Sequence, residues 1–500
     1  MKWPGSAAVI VSIIHIVRGS TQIVATIDDE PCEEITAFLT CSGIDDDPNR
    51  LSENAAICGK GSELYDGNGF VYSDGANNTM PIAEINNLIA ASPRSKERIR
   101  PYIGGEEVNG SPTHLPNRYV IDFEVMSEKD AQQYPELFEL CRQRVAPERM
   151  TKARDVAAAP WWQHWRSRIA LYKAIRRQSR TLVASRVQPH WSVALLPTKY
   201  VFSDALVVFA YSTYASFAVL QSRIHEVWAR FFSSSMKDDL RYTPSDCFET
   251  FPFPESWESD AALESAGKAY YEFRARPMVE TNLGLTKTYN RFHDPAVSDA
   301  ADPKIAELRR IHLQMDRAVL AAYRWPDLVA RLDADVVQAV APAAAPAAAI
   351  APIPATSPIE LPSSSAAVGS PIRPEFILDY EEEEDEDAAP SEKKKPWRLR
   401  FPDPVRDDLL ARLLALKAFR AAAERREESD ASGQAKTKKQ GGATIEAVGG
   451  VRKRETTRPK SPRVPTAVTP PVKELTKLPT PRPGDKSGSL FGLPPKDVVR

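Results

Sequence analysis

Cysteine, histidine and glycine are scarce in this 500-residue chain, which holds 5, 7 and 22 of them. The five cysteines (Cys32, Cys41, Cys58, Cys141, Cys247) are an odd set without a C-x-x-C pair. That pattern argues against a disulfide framework or a zinc site and fits a reducing cytoplasm. No two histidines stand four residues apart and none lies near a cysteine pair, so no metal site is expected. Phosphate-loop, dinucleotide-binding, zinc-protease and serine-hydrolase signatures are all missing, and no nucleophile–base pairing replaces them. No catalytic residue can be named. Asp45-Asp46-Asp47 and Glu106-Glu107 are carboxylate clusters, and both read as solvated turns. Long hydrophobic runs are also lacking. Ala7–Val17 is too short to cross a bilayer, contains Ser12 and His15, and has no A-x-A cleavage site. It reads as a buried strand, and no membrane association is expected.

What is present is ordinary in bulk and divided along the chain. Hydrophobic residues make up 42% and charged residues 26%, as in a soluble globular protein. The net charge of −2 averages an acidic run, Glu381 to Asp387, against a basic, proline-rich tail from about Lys436 to Arg500. Such blocks usually stay solvated. Residues 1–80 read as short strands and loops, and opening on a central strand raises the expectation of missing sequence upstream. Arg118–Phe123 alternates as a strand, and Ala131–Val145 suits a helix. Trp191–Leu196, Tyr200–Phe202 and Ala205–Tyr211 read as successive strands. Ala215–Phe232 is the clearest helix. Phe217, Leu220, Ile224, Val227, Trp228 and Phe231 share one face, with Arg223, Glu226 and Arg230 opposite. Helices are also predicted over Ala261–Val279, Pro303–Tyr323 and Val405–Glu428. The last presents Leu409, Leu413, Leu416 and Phe419 on a face. Trp325-Pro326 ends the second of these, because proline pushes its predecessor out of the helical region. Ala341–Ser370 has linker composition, and disorder is expected beyond the final helix.

The stretch Trp161–Pro254 carries most of the functional signal. Arg166, Arg168, Lys173, Arg176, Arg177, Arg180, Arg186, Lys199, Arg223, Arg230 and Lys237 alternate with Trp191, Tyr200, Tyr211, Tyr214 and Trp228. Cations neutralise phosphates, and aromatic or guanidinium planes can meet bases. The same pattern also suits a basic helix face over Ser167–Arg180 above an aromatic core, and charge alone leaves the two open.

Several segments together resemble a known family. They are Trp3-Pro4-Gly5, Ile99 to Asn109 with Pro101-Tyr102-Ile103-Gly104-Gly105-Glu106-Glu107, and Arg118–Phe123. Leu220–Trp228, Arg241-Tyr242-Thr243-Pro244, Thr250-Phe251-Pro252-Phe253-Pro254, Leu285–Asn290 and Lys395-Pro396-Trp397-Arg398 add to them. Over about residues 1–425 the chain resembles the C-terminal part of bacterial adenine-specific DNA methyltransferases of restriction–modification systems, near the MmeI group. The resemblance implies a Rossmann-type domain that binds S-adenosylmethionine and flips adenine into an Asn-Pro-Pro-Tyr/Phe pocket, followed by a target-recognition domain. The glycine-rich loop and the Asn-Pro-Pro motif are both missing from this chain. Thr469-Pro470-Pro471-Val472 and Leu493-Pro494-Pro495-Lys496 have the wrong flanks.

The expected architecture is mixed α/β. Residues 1–80 would be the remnant edge of the methyltransferase sheet and 81–256 an α+β target-recognition domain. A helical domain over 257–335, a disordered linker over 336–395, a helical segment over 396–430 and a disordered basic tail over 431–500 would follow. The expected function is recognition of double-stranded DNA, with Arg186, His190, Lys199, Lys237, Arg241 and Tyr242 as contact residues. No cofactor is expected on this chain, S-adenosylmethionine belonging to the complete enzyme. A separate catalytic chain acting in trans and a protein-interaction scaffold are the alternatives.

Overall fold

The computed structural model describes residues 25–27, 30–32, 35, 50–75, 79–236, 239–339, 371–378 and 397–440. The strand expected over Ala7–Val17 and most of the linker and tail lie outside these residues. The chain divides into residues 1–425 and 426–500, and of the second only the helical stretch 426–440 is described.

Two four-stranded sheets build the middle of the first unit. One is antiparallel, in the order Cys58–Lys60, Leu206–Phe209, Arg180–Ser185, Ala194–Pro197. Its second strand, Leu-Val-Val-Phe, is buried throughout, as suits a β-branched run covered on both faces. The other runs Val201–Phe202, Ile99–Ile103, Arg118–Ile121, Val71–Tyr72, and its first pair is parallel. The chain moves from Phe202 in one sheet to Leu206 in the other through a short turn. There Ser62 N donates to the Phe202 carbonyl at 2.8 Å. Gly61 makes that approach possible, because a Cβ would stand 2.2 Å from the Ser203 carbonyl oxygen. Residues 51–75 thus join sheets whose other strands fall within 81–256, and they continue the recognition fold in space. No methyltransferase sheet edge is seen among the described residues.

Helices cover the first sheet. The predicted helix over 215–232 is two helices, Tyr214–Gln221 and Arg223–Phe232, divided at Ser222. Ser222 adopts extended backbone, and its hydroxyl accepts the His225 amide at 3.3 Å, capping the second helix. Similarly Pro135 restarts the helix predicted over 131–145, leaving Glu128–Ala131 and Pro135–Arg144. Ala261–Thr281 and Pro303–Ala322 match expectation closely, and each is capped by an aspartate, Asp260 and Asp302. Ala261–Thr281 lies against Tyr214–Gln221 at Gly267, where a Cβ would sit 2.1 Å from the Tyr214 carbonyl. Gly267→Ala is therefore expected to cost about 1–3 kcal/mol of stability, measured by denaturant unfolding. An unchanged midpoint would show that the helices separate freely there.

One apolar core runs from Cys58 through Trp191, Trp228, Phe251, Tyr270, Met315 and Leu328 to Leu414. A second, around Phe70, Ile99, Val120 and Phe138, lies under the other sheet. Glu375–Leu378 pairs with Trp397–Arg400, and Ile372 is buried, all within or beside the stretch read as linker. The last helix spans Asp403–Gln440, longer than predicted at both ends. Its buried apolar residues are Val405, Leu409, Leu410, Leu413, Leu414 and Ala421, while Phe419 is exposed. No helix among the described residues is long and apolar enough to cross a membrane.

Cys32 is disulfide-bonded, which the odd cysteine count did not foresee. Cys58, Cys141 and Cys247 are free and buried. Burial pushes the Cys58 and Cys141 thiols well up, and Cys247 up to about 12, so none is poised as a thiolate.

Candidate nucleic-acid interface

Most of the cations counted between residues 161 and 254 are already engaged. Arg223 is buried and ion-paired to Asp316 at 2.5 Å, although helical periodicity placed it on the outer face. Arg230 pairs with Glu226 at 2.8 Å, and Arg176 with Glu124 at 3.1 Å. Arg180 lies over the Tyr214 ring at 4.3 Å and donates to its hydroxyl. The aromatic residues are engaged too. Trp191, Tyr200 and Trp228 are core side chains. The basic–aromatic alternation is mainly a packing pattern.

Among the six expected contact residues, the structure separates surface from core. Tyr242 is 1% exposed. Its ring stacks on Trp191 at 4.6 Å and its hydroxyl meets His225 Nε2 at 3.1 Å. It supports the sheet and offers nothing to an outside ligand. His190 stacks on His293 at 4.6 Å, with Nε2 against Asn290 Oδ1 at 2.8 Å and Nδ1 near Arg398 at 3.3 Å. It too is spoken for. Lys199 is exposed and stands apart, following the strand Ala194–Pro197. Lys237 lies outside the described residues.

Arg186 and Arg241 come together with two residues from elsewhere in the chain. Ser234–Met236 and Asp239–Arg241 form an antiparallel pair whose second strand also bonds Val187–Gln188. Alternation turns Leu240 inward and leaves Asp239 and Arg241 half-buried. The Tyr242 amide donates to the Arg186 carbonyl at 2.8 Å, so the backbone segments that carry the two arginines are adjacent. Lys60, at the end of the edge strand Cys58–Lys60, lies within electrostatic reach of both. Burial lowers its ammonium pKa, Arg186, Arg168 and Arg241 lower it further, and only Glu63 opposes them. Arg168 donates to Glu63 at 2.6 Å and to the Gly61 carbonyl at 3.2 Å. Lys60, Arg186 and Arg241 have no ion pair among the described residues. The Arg186 side chain bonds the Asp204 carbonyl, and its buried Nε has no partner among the described residues. Around Lys60 three guanidinium groups outnumber one carboxylate, and that excess of positive charge suits an anion. Lys60 was missed because nothing in the sequence marks Cys58–Lys60 as a partner of Leu206–Phe209.

The one strand-to-helix turn with paired glycines does not suit a nucleotide cofactor. After strand Ile99–Ile103, Gly104 leads into the six-residue helix Gly105–Gly110. The helix start is filled by its own Glu107, buried rather than solvated. Its carboxylate accepts the Gly104 amide at 2.9 Å and two Arg118 donors, Nε at 2.5 Å and Nη2 at 2.7 Å. A phosphate or carboxylate ligand would have to displace it. The chain therefore offers no S-adenosylmethionine loop at this turn.

Residues 52–255 match the family model of the MmeI target recognition domain. This stretch is a target recognition domain of the MmeI family. Such a domain recognises DNA sequence in restriction–modification. A solved structure of the Type IIL restriction-modification enzyme MmeI in complex with DNA is similar at 17% identity, with a TM-score of 0.40. The match covers 59% of this chain and 36% of that one, so this chain spans well under half of the enzyme. No curated protein matches. Both Arg186 and Arg241, and also Lys60 and Arg168, fall inside the recognition domain.

Proposed function

We propose that this chain is the DNA-reading part of a site-specific adenine methyltransferase of a restriction–modification system. Duplex DNA would bind at the cluster of Lys60, Arg168, Arg186 and Arg241. The observation that carries this reading is that Arg168, Arg186 and Arg241, from three further segments, stand close enough to Lys60 to depress its ammonium pKa, and that all four lie within a target recognition domain. Neighbouring cations raise each other's energy, and the cost is recovered when phosphates enter and their counterions leave. Lys60 and Arg168 suit phosphate contacts. Arg241, on a paired strand, and Arg186, in the bend between two strands, have the planar fork that can meet a base edge. Methyl transfer would be supplied by another chain or domain that holds S-adenosylmethionine and an Asn-Pro-Pro-Tyr pocket, in the cytoplasm.

Binding to a panel of duplexes at several salt concentrations tests the assignment. The logarithm of affinity is expected to fall linearly with that of salt. Lys60→Gln should flatten the slope by about 0.9 and weaken all duplexes alike. Arg241→Gln should relax sequence preference, at about 1–3 kcal/mol for the favoured site. Salt-independent binding, or equal loss on every duplex for both variants, would reject the division of roles. The chain alone should transfer no methyl group to DNA from the sulfonium donor, and labelled adenine would end that part of the reading.

A further inference from the structure

Beside the cationic cluster stands a surface feature that duplex binding leaves unexplained. Tyr65 is a bulky residue in left-handed backbone, φ +51°, and 48% of its surface is exposed. That conformation costs a non-glycine residue roughly 1–2 kcal/mol. An apolar ring held outward at such cost, with no gain in burial, is the kind of outlier that points to use. Its inner edge meets Trp165, with ring centroids 4.8 Å apart and planes tilted by 54°. The Arg166 guanidinium covers the Trp165 ring at 4.1 Å and is half exposed.

The arrangement is held from beneath. Glu63 and Arg166 exchange backbone hydrogen bonds of 3.2 and 3.1 Å, joining the two segments that carry the rings. Arg149, 1% exposed, donates from one nitrogen to the Leu64 carbonyl at 2.9 Å and to the Gln163 carbonyl at 2.8 Å. Those carbonyls lie one residue before Tyr65 and two before Trp165. The Asp66 carboxylate fixes the following turn by accepting the Asn68 and Phe70 amides at 3.1 and 2.7 Å. A buried arginine spent on two backbone carbonyls fixes the spacing of two surface rings. Such preorganisation lowers the entropy lost when a flat ligand stacks.

We infer that Tyr65, Trp165 and Arg166 form a stacking platform for an unpaired nucleobase. The base would belong to a single-stranded segment of the same nucleic acid that the cationic cluster holds, so this inference rests on the DNA-binding reading. Charge complementarity selects that occupant. Glu63 receives Arg168 from the cluster and Arg166 from the platform, so the cations continue without a break from Lys60 to the aromatic rings. A strand leaving the duplex would keep its phosphates on guanidinium groups while a base meets the Tyr65 face.

The test uses the full chain and two probes, a blunt duplex and the same duplex with a short single-stranded extension carrying 2-aminopurine. The wild-type protein is expected to bind the extended probe roughly tenfold more tightly and to quench its fluorescence. Tyr65→Asn, a residue that tolerates left-handed backbone, should abolish both effects and leave blunt-duplex affinity unchanged. Tyr65→Phe should retain them. Equal affinity of the wild-type protein for both probes would overturn the platform while leaving duplex binding intact. So would an equal loss on both probes with Tyr65→Asn, or a Tyr65→Phe variant that behaves like Tyr65→Asn. Absence of salt-dependent binding to either probe would instead overturn the duplex reading on which the platform rests.

Discussion

Arg223→Ala is expected to cost about 3–5 kcal/mol of folding stability, the range for removing one partner of a buried ion pair. Arg223 is 3% exposed and Asp316 is fully buried. Arg223 Nη1 meets Asp316 Oδ2 at 2.5 Å, and the Arg223 amide meets Oδ1 at 2.9 Å. Nε donates to the Leu399 carbonyl at 3.1 Å, and His312 Nδ1 accepts from Nη1 at 2.7 Å. Burial alone would push the Asp316 carboxyl up, and His312 together with the adjacent Arg223 holds it below its ordinary value. Deleting the guanidinium leaves that charge in an apolar interior with one hydrogen bond fewer on each neighbour. Denaturant unfolding gives the measurement. Arg223→Met combined with Asp316→Leu should recover most of the loss, because paired removal leaves no stranded charge. A single-variant loss below about 1 kcal/mol would mean that water reaches Asp316.

The same contacts show why the recognition domain ends at residue 255 in sequence but not in energy. Arg223 lies inside the matched stretch, whereas Asp316, His312 and Leu399 lie outside it. Tyr323 donates to the Pro252 carbonyl at 2.9 Å, and Arg420 pairs with Glu53 at 2.7 Å. Residues 52–255 alone would expose much of the larger core. They are expected to show broad unfolding or aggregation where the full chain melts sharply, and a sharp transition of the isolated stretch would contradict this. Linker composition after residue 340 concealed the arrangement, because the strand Trp397–Arg400 is recruited from beyond it.

What could be read in the sequence follows from how locally each feature is specified. Pro303–Ala322 was legible because Asp302, Pro303 and an apolar stripe all lie within the helix or one residue of it. The stripe over 215–232 was legible too, but the break at Ser222 was not. A serine inside an apolar helix looks tolerable until its hydroxyl is found capping His225. Arg223 and Glu107 were assigned to solvent because neither's partner is near enough in sequence, or suggestive enough, to signal burial. Tyr242 looked like a recognition residue because it follows Arg241, yet strand alternation sends neighbours to opposite faces. The cationic cluster was half visible. Arg186 and Arg241 were named, while Lys60 depended on a strand pairing across nearly 150 residues of chain.

Stability should fall steeply as pH drops from about 6.5 towards 4, with a slope that reaches about 1.4 kcal/mol per pH unit for each buried histidine. Burial, aided by Arg398, lowers His190 to about 4, and burial lowers His225 to about 3. Burial also lowers His293, with His190, Arg398, Arg223 and Arg230 around it, and lowers His312 beside Arg223. The Asn290 hydrogen bond and then Glu226 pull the other way on His190, and Glu226 does so on His225. In the unfolded chain these imidazoles take up protons near their ordinary value, while in the folded protein they refuse them until far lower pH. The unfolded state therefore binds more protons across that interval. The contribution is complete above about 6.5 and is lost as pH falls through the lowered values. The geometry identifies what gives way first. His293 Nδ1 accepts the Leu399 amide at 3.0 Å, and His190 Nδ1 accepts from Arg398 at 3.3 Å. A proton on either atom removes an acceptor and places a cation against arginine, so the strand Trp397–Arg400 should detach before the sheets open. Hydrogen exchange of the Leu399 amide should accelerate between pH 6.5 and 5 ahead of global unfolding, and His190→Asn should blunt the slope. Stability that stays level from pH 7 to 5 would show that these imidazoles are protonated without cost, and the histidine stack would then be no determinant of the fold.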